Sequence, residues 1–112
     1  MGALREARRR ALARRGRPMT LRRLVTPPTT YATAAVTGFS ADYAPNDLAP
    51  PLLQGDRRLE ILHVDLVAAG FPWPPREPDE VLDGGESFTV IFAAPVWEGT
   101  ERIGWTLAVR GG

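Results

Sequence analysis

The sequence has 112 residues, 44% of them hydrophobic and 24% charged, which is enough for one domain with a core and too few for two. Eleven Gly and eleven Pro make up about a fifth of the chain, against an ordinary share of roughly an eighth, so chain punctuation falls too often for a bundle of long helices. The absence of Cys excludes a disulfide scaffold, a thiolate zinc site and a cysteine nucleophile. No apolar run approaches the roughly 18 residues of a bilayer-spanning helix, and the amino terminus lacks the apolar middle region of a secretory signal, which predicts a soluble chain.

The net charge of +1 hides an asymmetry: residues 1–23 hold nine Arg and one acid, residues 24–112 five Arg and twelve acids. All fourteen basic residues are Arg, a bias that genome composition explains as well as chemistry does. Residues 3–15 are strong helix formers without Pro or β-branched residues, and predict a helix ended by Gly16 and Pro18. Its apolar stripe of Leu4, Ala7, Ala11 and Leu12 is mostly Ala, so the helix is marginal alone. Arg5, Arg8, Arg9, Arg10, Arg14, Arg15 and Arg17 make this segment, residues 1–18, a partner-binding arm whose opposing charge is a nucleic acid, an anionic membrane or an acidic protein face. Met19 is a candidate internal start, which would make the arm an extension.

From residue 20 the texture changes to short β-prone runs between Pro and Gly, predicting an all-β domain over residues 19–112, a small barrel or sandwich of five to six strands. Residues 20–26 form a first strand, stopped by Pro27 and Pro28. Residues 31–41 form a second, with Gly38 a candidate bulge. Residues 42–56 combine three Pro with Leu48, Leu52 and Leu53 and read as a long loop with apolar content. Residues 57–63 read as a strand, followed by a helical turn closed by Gly70. Residues 71–79 hold four Pro and form an extended connection on which Trp73 packs. A short strand around Val81 and a turn at Asp83-Gly84-Gly85 lead into a terminal hairpin. There Phe88, Val90, Phe92 and Ala94 alternate, as do Ile103, Trp105, Leu107 and Val109, about a turn at Glu98-Gly99, with one face buried.

Catalytic signatures are missing. His63 is the one His, Ser40 and Ser87 the two Ser, and no Gly-x-Ser-x-Gly elbow occurs, so His63 reads as a strand residue with a satisfied ring nitrogen. Asp79, Glu80, Asp83 and Glu86 lack the order of a calcium loop and read as solvated turn acids. No phosphate-cradling or dinucleotide motif appears, so neither a metal nor a cofactor is expected. Trp105 falls on the buried alternation; Trp73 and Trp97 are candidate interface anchors, a role in which aromatic residues are enriched.

The order of segments resembles the small neck proteins of tailed phages and phage-like gene transfer agents: MTLRRL (19–24), TPPTTYATAAVTGFSADY (26–43), LLQGDRRLEIL (52–62), PPREPDEVLDGGESFTVIFAAPV (74–96) and GWTLAVRGG (104–112). The motifs are Gly55-Asp56-Arg57 leading into a strand, Pro75 to Val81 before a turn, Phe88 to Pro95, and Arg110-Gly111 closing the last strand; the arm lies outside them. The resemblance implies a head-closure or stopper protein, a β-barrel without catalytic activity. It further implies a ring of six identical copies between portal-adaptor and tail proteins in a virion neck, synthesised in the bacterial cytoplasm and gating the passage of double-stranded DNA. It also implies that the loop from Asp42 to Gly55 plugs the channel, through Asp42, Tyr43, Asn46, Asp47, Leu48, Leu52, Leu53 and Gln54. The alternative expectation is a DNA-binding β-barrel that uses the Arg arm.

Overall fold

The computed structural model describes residues 2–4, 6, 7, 10, 16–26, 30–42, 51–53 and 55–111. Its elements are β1 (Arg17–Thr26), β2 (Thr30–Asp42), β3 (Arg57–Leu62), α1 (His63–Ala69), β4 (Glu80–Asp83), β5 (Glu86–Glu98) and β6 (Glu101–Gly111). The strands close into one antiparallel barrel in the order β1-β2-β3-β6-β5-β4, so the barrel alternative holds and the sandwich does not. Among the described residues, no helix is long and apolar enough to cross a membrane.

Period-two alternation builds the interior. Met19 and Leu21 of β1, Ala34 and Val36 of β2, Leu59 and Ile61 of β3, Val81 of β4, Val90 of β5, and Trp105, Leu107 and Val109 of β6 form one buried cluster. Gly38, expected as a bulge, pairs regularly with Arg17 and Ile61. It is small for a packing reason, since a Cβ there would lie 2.7 Å from Met19 Sδ. Leu62 closes β3 and the chain turns at once into α1, whose Leu66 joins the core together with Phe71 beyond it. Gly70, in the left-handed region at φ 67°, caps α1, its N–H reaching the carbonyls of Leu66 and Val67. Asp65 of α1 accepts a 3.0 Å bond from the Thr37 N–H, just past Gly38, where the β2–β3 ladder ends.

Two hairpin turns place glycine at the first of two central residues: Gly84 at φ 61° between Asp83 and Glu86, and Gly99 at φ 60° between Glu98 and Glu101. A positive φ there but not at the second central residue, Gly85 or Thr100, is the mark of a type II′ turn, whose twist suits the strands it joins.

Several expectations need correction. β1 starts at Arg17 rather than residue 20, because Arg17 ion-pairs with Asp83 and Pro18 sits at the strand start, where a missing N–H is tolerated. The alternation of β5 breaks: the register slips between Val90 and Phe92, so Ile91 is the extra residue. Val90 stays buried, but Phe92, 38% exposed, and Ala94 turn outward while Ala93 packs on the core. His63 is the first residue of α1, not the last of β3.

Candidate functional site

Three parts of the fold carry charge and aromatic surface in a defined geometry: the root of the β2–β3 connection, the acidic face of β4 against β1, and the end of the β5–β6 hairpin.

Asp42 and Arg57 are register partners, so the chain leaves β2 and re-enters β3 at the same end of the barrel after residues 43–56. A two-residue turn would close such a pair. Tyr43, Asn46, Asp47, Leu48 and Gln54 lie outside the described residues. Of the remaining candidates Asp42 ends β2, Leu52 is half-buried and Leu53 exposed. The re-entry is clamped by Asp56, only 3% exposed. Its Oδ1 and Oδ2 each accept a 2.9 Å bond from Arg110, through Nε and Nη2. Oδ2 also accepts from the Leu53 N–H at 2.9 Å, and Arg110 Nη2 donates to the Pro51 carbonyl at 3.1 Å. The hydrogen bonds from Arg110, foremost, hold the Asp56 carboxyl below its ordinary range against the opposing effect of burial.

The turn acids are not merely solvated. Asp79 is 3% exposed, and its two oxygens each accept at 2.8 Å from Arg23. Arg23 follows Met19 and Leu21 in the alternation of β1, so its stem heads inward at the barrel end, beside the Phe71 ring at 5.2 Å. Its Nη2 donates to the Pro74 carbonyl, while the Asp79 carbonyl accepts from the Val90 N–H. Glu80 pairs with Arg22 at 2.8 Å, and Asp83 with Arg17 through a 2.7 Å Nε–Oδ1 bond. The Arg17 hydrogen bond lowers the Asp83 carboxyl from its usual range. Three of the nine N-terminal arginines are thus taken up by β4 and the segment ahead of it.

Of the arm, Arg5, Arg8, Arg9, Arg14 and Arg15 lie outside the described residues. Ala3, Leu4, Glu6, Ala7 and Arg10 are helical, with Arg10 exposed. The Leu4 N–H donates to Glu98 Oε2 at 2.9 Å, so the start of the arm meets the β5–β6 hairpin.

At that hairpin all three tryptophans converge on Arg102. Its guanidinium carbon lies 4.9 Å from the ring centroid of Trp73, 4.6 Å from Trp97 and 4.9 Å from Trp105. Trp97 faces Arg102 directly across the strands. Trp105 Nε1 donates to His63 Nδ1 at 3.1 Å, and the Trp73 ring meets the His63 ring edge-on at 4.9 Å. His63 Nδ1 is therefore an acceptor. Desolvation first, and the Arg102 charge second, push the His63 pKa below its ordinary value. Trp73 and Trp97 remain 47% and 46% exposed.

Arg102 escaped the reading of residues, yet a two-residue turn at Gly99-Thr100 places it opposite Trp97 by counting alone. The arrival of Trp73 and His63 had no such signal, since it depends on the path of α1 and the proline segment. Among the described residues no group of three or more His, Asp or Glu could hold a metal ion. Two clefts, of about 450 Å³ beside the β4–β5 turn and about 290 Å³ beside Arg22 and Arg23, are not lined by His63. The sequence matches no protein-family model and no curated protein.

Proposed function

We propose that the chain is a structural neck protein of a phage-like particle, a head-closure or stopper subunit that works by assembling rather than by catalysis. The observation that carries this reading is the clamped re-entry of residues 43–56. A connection far longer than its register-paired ends need is anchored at its root by the bidentate Asp56–Arg110 pair. Excess chain held at a rigid root is what a plug requires. In a ring of six, each copy contributes one such loop, so weak contacts close the channel jointly and a small hinge change opens it. Leu48, Leu52 and Leu53 would supply apolar contact between loops, while the acids of the body repel passing DNA phosphates.

Two further facts support it. The segments that carry the resemblance are tied in pairs by the least exposed carboxylates: Gly55-Asp56-Arg57 to Arg110-Gly111, and the segment from Pro75 to Val81 to Arg23 of MTLRRL. The chain runs from the far end of β3 into α1, whose Leu66, with Phe71 after it, joins the core at the opposite end of that strand from the loop root.

The alternative, DNA binding through the Arg arm, loses Arg17 of that arm to Asp83 of the same chain. Electron microscopy of particles assembled without this protein tests the proposal: full heads that leak DNA or fail to join tails are expected. Normal tailed, full particles would reject it, and so would a tight complex of the isolated chain with duplex DNA that weakens steeply with salt.

A further inference from the structure

The Trp73–Arg102–Trp97 cluster is a surface of a different kind from the clamped loop root. Arg17, Arg22, Arg23 and Arg110 each face a carboxylate of their own chain. Arg102 has no carboxylate partner among the described residues; its neighbours are three indole rings. Its Nε is buried without a hydrogen-bond partner among the described residues. A cation so placed has given up solvent on its faces without gaining an acceptor at its edge.

The geometry limits what could complete it. With indole rings within 5 Å on several sides and Nε buried, the guanidinium is left with its terminal Nη1 and Nη2 groups as the remaining polar edge. A planar, bidentate oxyanion fits that edge. The flanking Trp73 and Trp97 each keep nearly half their surface open, and both are fixed: Trp73 between Pro72 and Pro74 and against His63, Trp97 by the β5–β6 pairing. Rigid, half-open Trp around an Arg is the composition of an interface hot spot, where little side-chain freedom remains to be lost on binding.

We infer that this end of the β5–β6 hairpin is a docking site for a protein segment that presents a carboxylate side chain flanked by apolar residues. The carboxylate meets the edge of Arg102, and the apolar flanks cover Trp73 and Trp97. Charge decides between a protein and a nucleic acid as the source of the oxyanion. Glu98 and Glu101 form the register pair at the tip of the same hairpin, next to Trp97 and Arg102. Glu98 accepts from the Leu4 N–H, and these acids oppose any anion alike; a single carboxylate is favoured because Arg102 offers one fork of donors, whereas a polyphosphate backbone is held by several cations.

The test uses the full chain and a displayed library of random twelve-residue peptides. Selected peptides are expected to share an Asp or Glu beside apolar residues, to quench tryptophan fluorescence, and to lose affinity at least tenfold on Asp→Asn or Glu→Gln exchange within the peptide. Arg102→Lys keeps the charge and removes the planar fork; it should weaken binding tenfold or more. Trp97→Leu, at a half-exposed position, should weaken it several-fold while backbone amide spectra stay unchanged. The inference is overturned if no peptide is enriched, if the enriched peptides lack acids, or if Trp97→Leu leaves their affinity intact. A single-stranded twelve-nucleotide probe that binds the same surface more tightly than the best peptide would also overturn it, in favour of base stacking.

Discussion

Single residues divide by how deeply their charge sits. Asp79 and Arg23 are both largely withdrawn from water, so removing one partner strands the other. Asp79→Asn should cost about 3 kcal/mol in urea denaturation, since breaking a buried pair leaves an uncompensated charge. Asp83→Asn should cost far less, because the Arg17 side chain it faces is open to solvent. Acid should act in two steps. His63 has a lowered folded pKa, so its contribution is complete above the unfolded value near 6.5 and is lost as the pH falls from there to the folded value. Asp56 and Asp83 have lowered carboxyl values, so their contributions persist until the pH drops below about 3.8 and are then lost as it falls through the folded values. Stability measured against pH should therefore lose its first step in His63→Gln and a part of its second in Asp56→Asn.

At the scale of elements, two neighbouring glycines offer a matched comparison. Gly84 and Gly85 both have open space where a Cβ would sit, but only Gly84 has a positive φ. Gly84→Ala should destabilise by about 1 kcal/mol for backbone reasons alone. Gly85→Ala should be neutral or stabilise by a few tenths of a kcal/mol, by reducing the freedom of the unfolded chain. Thermal unfolding of the two variants checks the contrast. The bulge at Ile91 shows how one extra residue redirects an element: it leaves Val90 in the core, turns Phe92 out and brings Ala93 in. Period-two counting runs straight through such a site and assigns every later residue to the opposite face.

For the whole molecule, closure is the most non-local pairing, joining β1 to β4 about sixty residues further along the chain. Barrels dominated by such pairings fold in milliseconds to seconds, slower than helical proteins of this length. Because Trp73, Trp97 and Trp105 gather only when the hairpin, α1 and the proline connection are all in place, stopped-flow tryptophan fluorescence should report the meeting of those three parts. The core begins at Met19, so a chain starting at Gly16 should keep the barrel and nearly the same urea midpoint, apart from the loss of the Leu4–Glu98 contact. Circular dichroism with denaturation of the shortened chain tests this.

Local chemistry alone determined the strand and helix order after residue 56, the cap at Gly70, both glycine turns and the inward row of β6, because each depends on propensity, alternation or a backbone angle that neighbours specify. The tertiary structure decided what local patterns do not encode: closure rather than a two-sheet sandwich, the outward turn of Phe92, and the burial of Asp56 and Asp79 against arginines more than fifty residues away. It also decided the meeting of three tryptophans on Arg102. These depend on which distant segments share a volume, and a residue's charge or ring records its own chemistry but not the identity of the neighbour that closure brings to it.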